Sequence, residues 1–444
     1  MKTVLLSLLF LLGFILLSQA QTDLTFNSLD SLFSYADNNS YVMKTNDKNA
    51  ILAKFQKVAS IANVINFRDP VTFTMNDNTK LPASFVPGGT VIPGTIPGTY
   101  VKLTLGLQYV SNLNIMPQID IINAGNWAQI QSSDINVKVI ATQNLLNKKS
   151  LHESIAACYF NIISFNEQIE ITKQNMTATD SLLVIVTNKF NQGQVSQKNV
   201  NDATINKYVL QDKFNQLIFS IDQQYNSLKI LCDIPPTTTI SISDALNYNQ
   251  QFNTGITAGS QLLFRYNLLQ MEYAKANLKY NRLSNLPVLS LLYSNSFYQN
   301  SNTQFFDRSS NPSFHWLNAV YFGPRVTFNL PDVNRLISTR NAKINYQIAR
   351  INFEHNKLQN DLNNKQVVLD YEKAFSQCTM YKQVFLLKLD NYKIATNQYN
   401  QSIIAFDALL NSFNDMVVSK LNYCSALANM NYSKSKIDIN NNIK

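Results

Sequence analysis

Asn188 to Ala203 reads N-K-F-N-Q-G-Q-V-S-Q-K-N-V-N-D-A, and it separates two long segments whose apolar residues recur at four-three spacing. Upstream, Leu151, Ile155, Cys158, Ile162, Phe165 and Ile169 lead on to Leu183, Val186 and Phe190; downstream, Leu210, Phe214, Leu217, Ile221, Leu228 and Leu231 resume the pattern. Such spacing marks a helix with a coiled-coil seam. Gly193, the only glycine between Gly125 and Gly255, suits a left-handed helix stop, and Ser196 suits the N-cap of the helix that follows. The stretch predicts a hairpin of two very long helices turned at Gly193.

The same stretch returns at Asn397 to Ser412, N-Q-Y-N-Q-S-I-I-A-F-D-A-L-L-N-S, with the N-x-[FY]-N-Q element in register. A duplication of this kind divides the chain into halves with one plan: helix, two strands, very long helix, turn, shorter helix. The first half covers 21–234, with strands at about 71–86 and 100–122, a long helix at about 123–192 and its partner at about 196–232. A polar linker, 235–257, joins it to the second half, 258–444. There, strands are expected at about 287–299 and 316–330, with helices at about 332–401 and 404–432 and a polar, frayed tail after Asn431. A helix of roughly 70 residues is on the order of 100 Å long. No ordinary globular core supports such a rod, so its seam needs other helices.

Residues 1–20 read as a secretory leader, with Lys2, an apolar run from Val4 to Leu17, and Ser18-Gln19-Ala20 as a small-x-small cleavage site. Beyond Ala20 no apolar run is long enough for a spanning helix. The net charge of +9 becomes +8 when Lys2 leaves, and the cations are scattered along helices without a basic run. Solvated helix faces explain them better than nucleic acid does. Cys158, Cys232, Cys378 and Cys424 follow neither metal nor redox spacing, and sequence alone does not pair them. His152, His315 and His355 are far apart, with His355 on a helix seam beside Ile351 and Leu358. No nucleophile elbow, phosphate loop or carboxylate pair is present, so neither catalysis nor a bound metal or cofactor is expected.

The strands decide the compartment. Val71, Phe73 and Met75 alternate with Thr72, Thr74 and Asn76, and Val101, Leu103, Leu105, Leu107 and Tyr109 alternate with polar residues. Leu289, Leu291, Tyr293 and Phe297 do the same, as do Val320, Phe322, Val326 and Phe328. This suits lipid on one face and water on the other, at about the length a tilted barrel strand needs. Four strands cannot close a barrel, and open edges are forbidden in lipid, so if these strands cross a membrane several chains must share one barrel.

With these features in place, the chain resembles the outer-membrane efflux proteins of the TolC type. The resemblance spans nearly all of the mature chain and rests most specifically on Phe190-x-x-Gly193-x-Val195-Ser196, then Val200 to Ala203, and on the helix end Leu228-x-x-x-Cys232-Asp-Ile-Pro235. The first strand hairpin, with Leu81-Pro82, Val86-Pro87, Pro97-Gly98-Thr99-Tyr100 and Leu105-Gly106, looks like the variant found in Bacteroidetes. The resemblance implies a mainly α protein with membrane β: a homotrimer with a 12-stranded β-barrel, four strands from each chain, continued by a long α-helical barrel and a shorter equatorial girdle. It implies a passive, outer-membrane exit duct for efflux pumps or type I secretion, docked to a periplasmic adaptor and an inner-membrane transporter and opened by an iris-like untwisting of its inner helices. Asp180, Lys189, Asp390, Lys393 and Tyr399 are then candidates for the closed periplasmic mouth, with Asp407 and Asp415 just beyond. Phe190, Gly193, Val195, Ser196, Ser402, Phe406 and Leu410 form the hairpin turns; their apolar members are either adaptor contacts or helix-end staples. The second turn departs from the family pattern, with Ser402 where glycine is frequent and Ala405 where a small hydroxyl is. The rival from another class is a secreted coiled-coil rod for scaffolding or adhesion, which explains the helices but not the strand pairs.

Overall fold

A computed structural model describes residues 23–443 apart from 66, 69, 82, 88–92, 95, 105, 247–257, 307–315 and 329–331. The expected leader and His315 lie outside the described residues. In chain order the elements are β1 (Asp23–Phe26), α1 (Leu29–Asn39), α2 (Tyr41–Ile65), β2 (Val71–Asp77), β3 (Ala83–Pro87), β4 (Tyr100–Thr104), β5 (Tyr109–Ile115), β6 (Gln118–Ile122), α3 (Ala124–Asn191) and α4 (Gln197–Cys232). They continue with β7 (Thr239–Ile242), α5 (Leu262–Leu283), β8 (Val288–Ser301), β9 (Leu317–Thr327), α6 (Val333–Asn400) and α7 (Phe406–Asn442). Helices α3 and α6 are each 68 residues long. None of the described helices is long and apolar enough to cross a membrane. The chain divides into two units, one of residues up to 51 with 140–268 and 352–444, the other of 52–139 with 269–351.

The first unit is a helical bundle. Its main core gathers Leu151, Ile155, Tyr159 and Ile162 of α3, Leu217, Ile221 and Leu228 of α4, Tyr371 and Ala374 of α6 and Leu427 of α7, with Leu32 and Ala36 of α1 packed in. All four cysteines are free and buried there. Helix ends are set by local chemistry. The Ser28 hydroxyl accepts from Ser31 N–H at 3.2 Å to start α1. Ser40 closes that helix through its own N–H to Ala36 O, and its hydroxyl accepts from Met43 N–H to open α2. Asp233 ends α4 in the left-handed region, φ 57°, ahead of Pro235 and Pro236.

Asparagine is the pin between helices. Asn46 and Asn144 each donate to the other's backbone carbonyl, at 3.3 and 2.8 Å, and Asn147 donates to the Asn46 side chain at 2.8 Å. Asn356 donates to Asn267 at 2.9 Å, and Asn440 to Asn364 at 3.1 Å. These bonds correct the expectation of a frayed tail after Asn431. Helix α7 runs on to Asn442, because Ile437 and Ile439 are buried and Asn440 bonds to Asn364 of α6 and to Lys149 of α3. Part of the expected linker is likewise structured: β7 pairs in parallel with β1, Thr239 opposite Asp23 through Ile242 opposite Phe26.

The second unit carries the main sheet. The segment read as one strand over 71–86 is two strands, β2 and β3, and that over 100–122 is three. Gly106, at φ 121°, lies between β4 and β5 in a backbone region that favours glycine. Strands β5 and β6 lie end to end along one edge of β8, β9 pairs with its other edge, and β2 pairs with β5, all antiparallel. Arg68 bridges to Gln118, so the β2 side follows both short strands. The result is four strand positions: β2, β5 with β6, β8 and β9. β3 and β4 form a separate two-stranded hairpin. Gly125 lets the start of α3 approach the end of α5, since a Cβ there would sit 2.9 Å from Ser284 Cα.

Candidate functional site

Two surfaces bear on function, one in each unit. The first is the sheet, whose two faces follow from the register. Phe73 stands opposite Leu113, Leu113 opposite Phe297, Ile119 opposite Leu291, and Tyr293 opposite Phe322. With Val71, Met75, Val320 and Val326 these residues make one apolar face. It is open: Val71, Phe73, Met75, Val320, Phe322 and Val326 are all exposed.

The opposite face is polar, and it is enclosed along β6 and β8. Asn114 Oδ1 accepts from Ser294 and Ser296 hydroxyls at 3.1 and 2.9 Å. Gln118 Nε2 donates to Ser290 Oγ at 3.0 Å, Ser290 donates to Asp120 Oδ1 at 2.7 Å, and Asn123 donates to Asp120 Oδ2 at 3.1 Å. Ser290, Ser294 and Asp120 are buried. A sheet with its apolar face outward and hydrogen-bonded polar groups inward inverts the arrangement of a water-soluble fold. Within the described residues the outer edges of β2 and β9 pair with no strand.

The second surface is the pair of hairpin turns, both in the helical unit, and their backbones match bond for bond. In the first, Gln192 N–H donates to Asn188 O, Gly193 to Phe190 O and Gln194 to Lys189 O. In the second, Gln401 donates to Asn397 O, Ser402 to Tyr399 O and Ile403 to Gln398 O. Gly193 has φ 71° and Ser402 φ 58°. A side chain in that region costs about 1–2 kcal/mol. Ser402→Gly is therefore expected to raise stability by about 1 kcal/mol and Gly193→Ala to lower it by a similar amount, read as opposite shifts in thermal unfolding. No heavy atom lies within 4 Å of a Cβ built on Gly193, so backbone strain alone sets that loss.

After each turn the next helix starts from an extended residue, Ser196 or Ala405. Asn199 Oδ1 accepts from Ser196 N–H at 3.1 Å and from its hydroxyl at 2.8 Å; Ala405 makes no such bond through its side chain.

Of the expected mouth residues, Lys189 and Tyr399 are brought together. The Lys189 ammonium lies 4.1 Å from the Tyr399 ring centroid, which ties the end of α3 to the end of α6. Tyr399 packs edge-on against Phe406 at 5.8 Å. Asp180 is exposed and pairs with Lys207 of α4 at 2.8 Å, inside its own hairpin. Asp415 pairs with Lys388 at 2.5 Å inside the other. Asp390 and Lys393 are exposed, and neither forms an ion pair among the described residues. The ion-pair partners Lys207 and Lys388 escaped the sequence reading because the facing position on a second helix depends on the hairpin's register.

The turn residues divide. Phe406 and Leu410 are 2% and 7% exposed and belong to a tip core with Leu182, Val186, Leu210 and Phe413. Both side chains pack into this core at the helix ends. Phe190 is 37% exposed, Val195 half-buried, and Ile403, which had not been singled out, is 65% exposed. Among the described residues Asn175 Nδ2, Thr179 Oγ1, Asn206 Nδ2 and Tyr399 OH are buried polar atoms with no hydrogen-bond partner in this part of the bundle. Orphaned polar groups lower the cost of rearranging the packing around them.

His152 also had no assigned role. Its Nε2 lies 2.8 Å from Asp37 Oδ1, Lys148 takes the other Asp37 oxygen at 2.8 Å, and the ring stacks on Phe33 at 4.1 Å. Asp30, Asp244, Lys434 and Asp438 line the same cavity. Burial pushes the imidazole below its ordinary value of 6.5, against the opposing pull of Asp37. The unfolded chain then binds more protons on acidification, so this contribution is present above about pH 6.5 and is lost as pH falls through the folded value. Asp438, raised by burial, has the opposite sign: its contribution is present below 3.8 and lost as pH rises through its folded value. Thermal unfolding followed from pH 8 to 5 is expected to fall less steeply for His152→Gln than for the wild type.

No protein-family model and no curated protein matches the sequence. Solved structures do. The chain is similar to the outer-membrane protein VceC of Vibrio cholerae at 14% identity, over 93% of this chain and 94% of that one, with a TM-score of 0.70. It is similar to the CmeC outer-membrane channel of Campylobacter jejuni at 14% identity, over 93% and 85%, TM-score 0.67. The MtrE outer-membrane channel of Neisseria gonorrhoeae, solved in its open state, matches at 12% identity over 94% and 89%, TM-score 0.69. At these identities the likeness establishes architecture, and it spans nearly the whole chain. The chain has the fold of the TolC-type outer-membrane channels.

Proposed function

We propose that the chain is one protomer of a homotrimeric outer-membrane channel-tunnel, a passive exit duct for an efflux pump or a type I secretion system. The observation that carries the reading is the outward apolar face of a sheet with two unpaired edges. Unpaired backbone groups are not tolerated in lipid, so β2 of one chain pairs with β9 of the next until the barrel closes. Three copies of four strand positions make twelve, within the range of closed barrels. The exposed seam of α6, with Ile344, Ile348, Ile351, Leu358 and Leu362, supports association as well, since a lone helix does not leave such a stripe in water.

In this reading the polar sheet face lines water, and the long hairpins form the periplasmic tunnel. Its mouth is closed by the hairpin ends, with Lys189 on Tyr399 as one tie, and Asp390 and Lys393 free to link neighbouring copies. A periplasmic adaptor meets the turns at Phe190, Val195 and Ile403 and shifts the population toward the open form, to the extent that it binds that form better. An inner-membrane transporter supplies the drive.

Membrane fractionation tests the assignment. A heat-sensitive trimer in the outer-membrane fraction is expected, and a soluble exported monomer would overturn it. Replacing Asp180 and Asp390 together with alanine is expected to change single-channel conductance. Unchanged conductance would remove both from the mouth.

A further inference from the structure

The end of the sheet that joins the helices carries a second feature, lying wholly within one unit. The aromatic residues Phe67 before β2, Trp127 after β6 and Phe328 after β9 are exposed, as is Leu286 before β8, and the antiparallel register puts them towards the same end. Exposed aromatic residues at the end of an apolar sheet face mark a membrane–water boundary. Immediately beyond it, α5 and α6 border a groove of 880 Å³.

The groove is basic. Lys275, Lys279 and Arg282 follow i, i+4, i+7 spacing on α5, and Lys343 and Arg350 are seven apart on α6, so each set shares a helix face. All five are exposed, and Glu272 is the single carboxylate among the lining residues described. Among the described residues none of the five has a carboxylate within 4 Å, although cations elsewhere on the chain do. Lys279 instead donates to Gln131 Oε1 at 3.0 Å. Five cations along one groove, set against a single carboxylate, repel one another unless an anion joins them. The walls are apolar, with Ile135, Leu278 and Leu283 among them. A free phosphate has no use for such walls, whereas a lipid sets its phosphate on the cationic rim and its glycerol and upper chain against them.

We propose that this groove binds the phosphate headgroup of an anionic phospholipid in the leaflet that meets the helix side of the sheet. The proposal rests on the membrane reading above, and it adds a ligand class and a site. Each cation near an anionic surface strengthens attachment about five-fold, screened by salt. Loss of four charges is therefore expected to remove selective retention.

The test uses full-length protein in phosphatidylcholine vesicles with and without phosphatidylglycerol. Native mass spectrometry after gentle detergent release counts retained lipid, and thermal unfolding is read in parallel. Wild type is expected to keep phosphatidylglycerol and to melt higher in its presence. K275Q/R282Q is expected to lose part of this and K275Q/R282Q/K343Q/R350Q nearly all, while both variants still insert and conduct in phosphatidylcholine. Retention equal in wild type and the fourfold variant would overturn the site and leave the channel intact. So would an equal rise in melting temperature from inorganic phosphate alone, since it assigns the groove to small anions. A change in the anion preference of conductance with lipid retention unchanged would assign it to cargo instead and overturn the proposal. Failure of the wild type to insert or conduct in either vesicle would remove the membrane reading, and this inference with it.

Discussion

Phe322→Arg is expected to abolish outer-membrane assembly, while Tyr321→Arg, one residue away, is expected to leave it largely intact. Both side chains are more than half exposed, and both sit near the middle of β9. In a water-soluble protein the two changes would be nearly equivalent, since exposed substitutions usually stay within about 0.5 kcal/mol. In a barrel they differ, because neighbouring residues on a strand point to opposite faces. Phe322 stands opposite Tyr293 on the apolar face, and Tyr321 opposite Ser294 on the polar one. Arginine on the lipid face costs roughly 2–4 kcal/mol at the bilayer midplane for each copy, and a trimer carries three. Phe322→Arg should therefore lose the heat-sensitive oligomer and leave the outer-membrane fraction, while Tyr321→Arg keeps both. If Phe322→Arg instead raised the yield of soluble protein without loss of a native oligomer, the apolar face would not be a lipid face.

The contrast between those residues is legible in the sequence, because alternation survives whatever the strands pair with. Val71, Phe73 and Met75, then Val320, Phe322 and Val326, announce a two-faced sheet before any partner is known. The duplicated turn is equally local, and its backbone bonds repeat even though glycine is replaced by Ser402. What escaped depends on distant partners. β1 and β7 are four residues each, too short for a period, and meet across more than 200 positions. Asp37 and His152 come together only because α1 folds onto α3. The asparagine-rich end of α7 looks like a solvated tail until Asn364, Gly259 and Lys149 take up its side chains. At the turns, apolar spacing marks Phe190, Phe406 and Leu410 alike, and only the packing of both hairpins separates the exposed one from the two that are buried.

That separation gives the other large effect. Phe406→Ala is expected to cost about 3–5 kcal/mol, the range for deleting a buried aromatic ring. Phe406 is 2% exposed, supports Tyr399 edge-on, and shares its core with Leu182, Val186 and Phe413. The loss is local, so amides at the end of α3 and the start of α7 should exchange faster while those around Tyr159 and Leu427 hold. Releasing Tyr399 also frees Lys189 from the ring above which it sits, so the mouth should relax and resting conductance should rise. Phe190→Ala and Ile403→Ala remove apolar side chains that this core does not need and should leave stability within about 1 kcal/mol. If those surface variants abolish pumping by the assembled system while Phe406→Ala loosens the tip, docking and closure are carried by different residues of the same turns. If instead Phe406→Ala leaves both exchange and conductance unchanged, the tip core does not hold the mouth shut, and closure must come from contacts between copies, with Asp390 and Lys393 the first to examine.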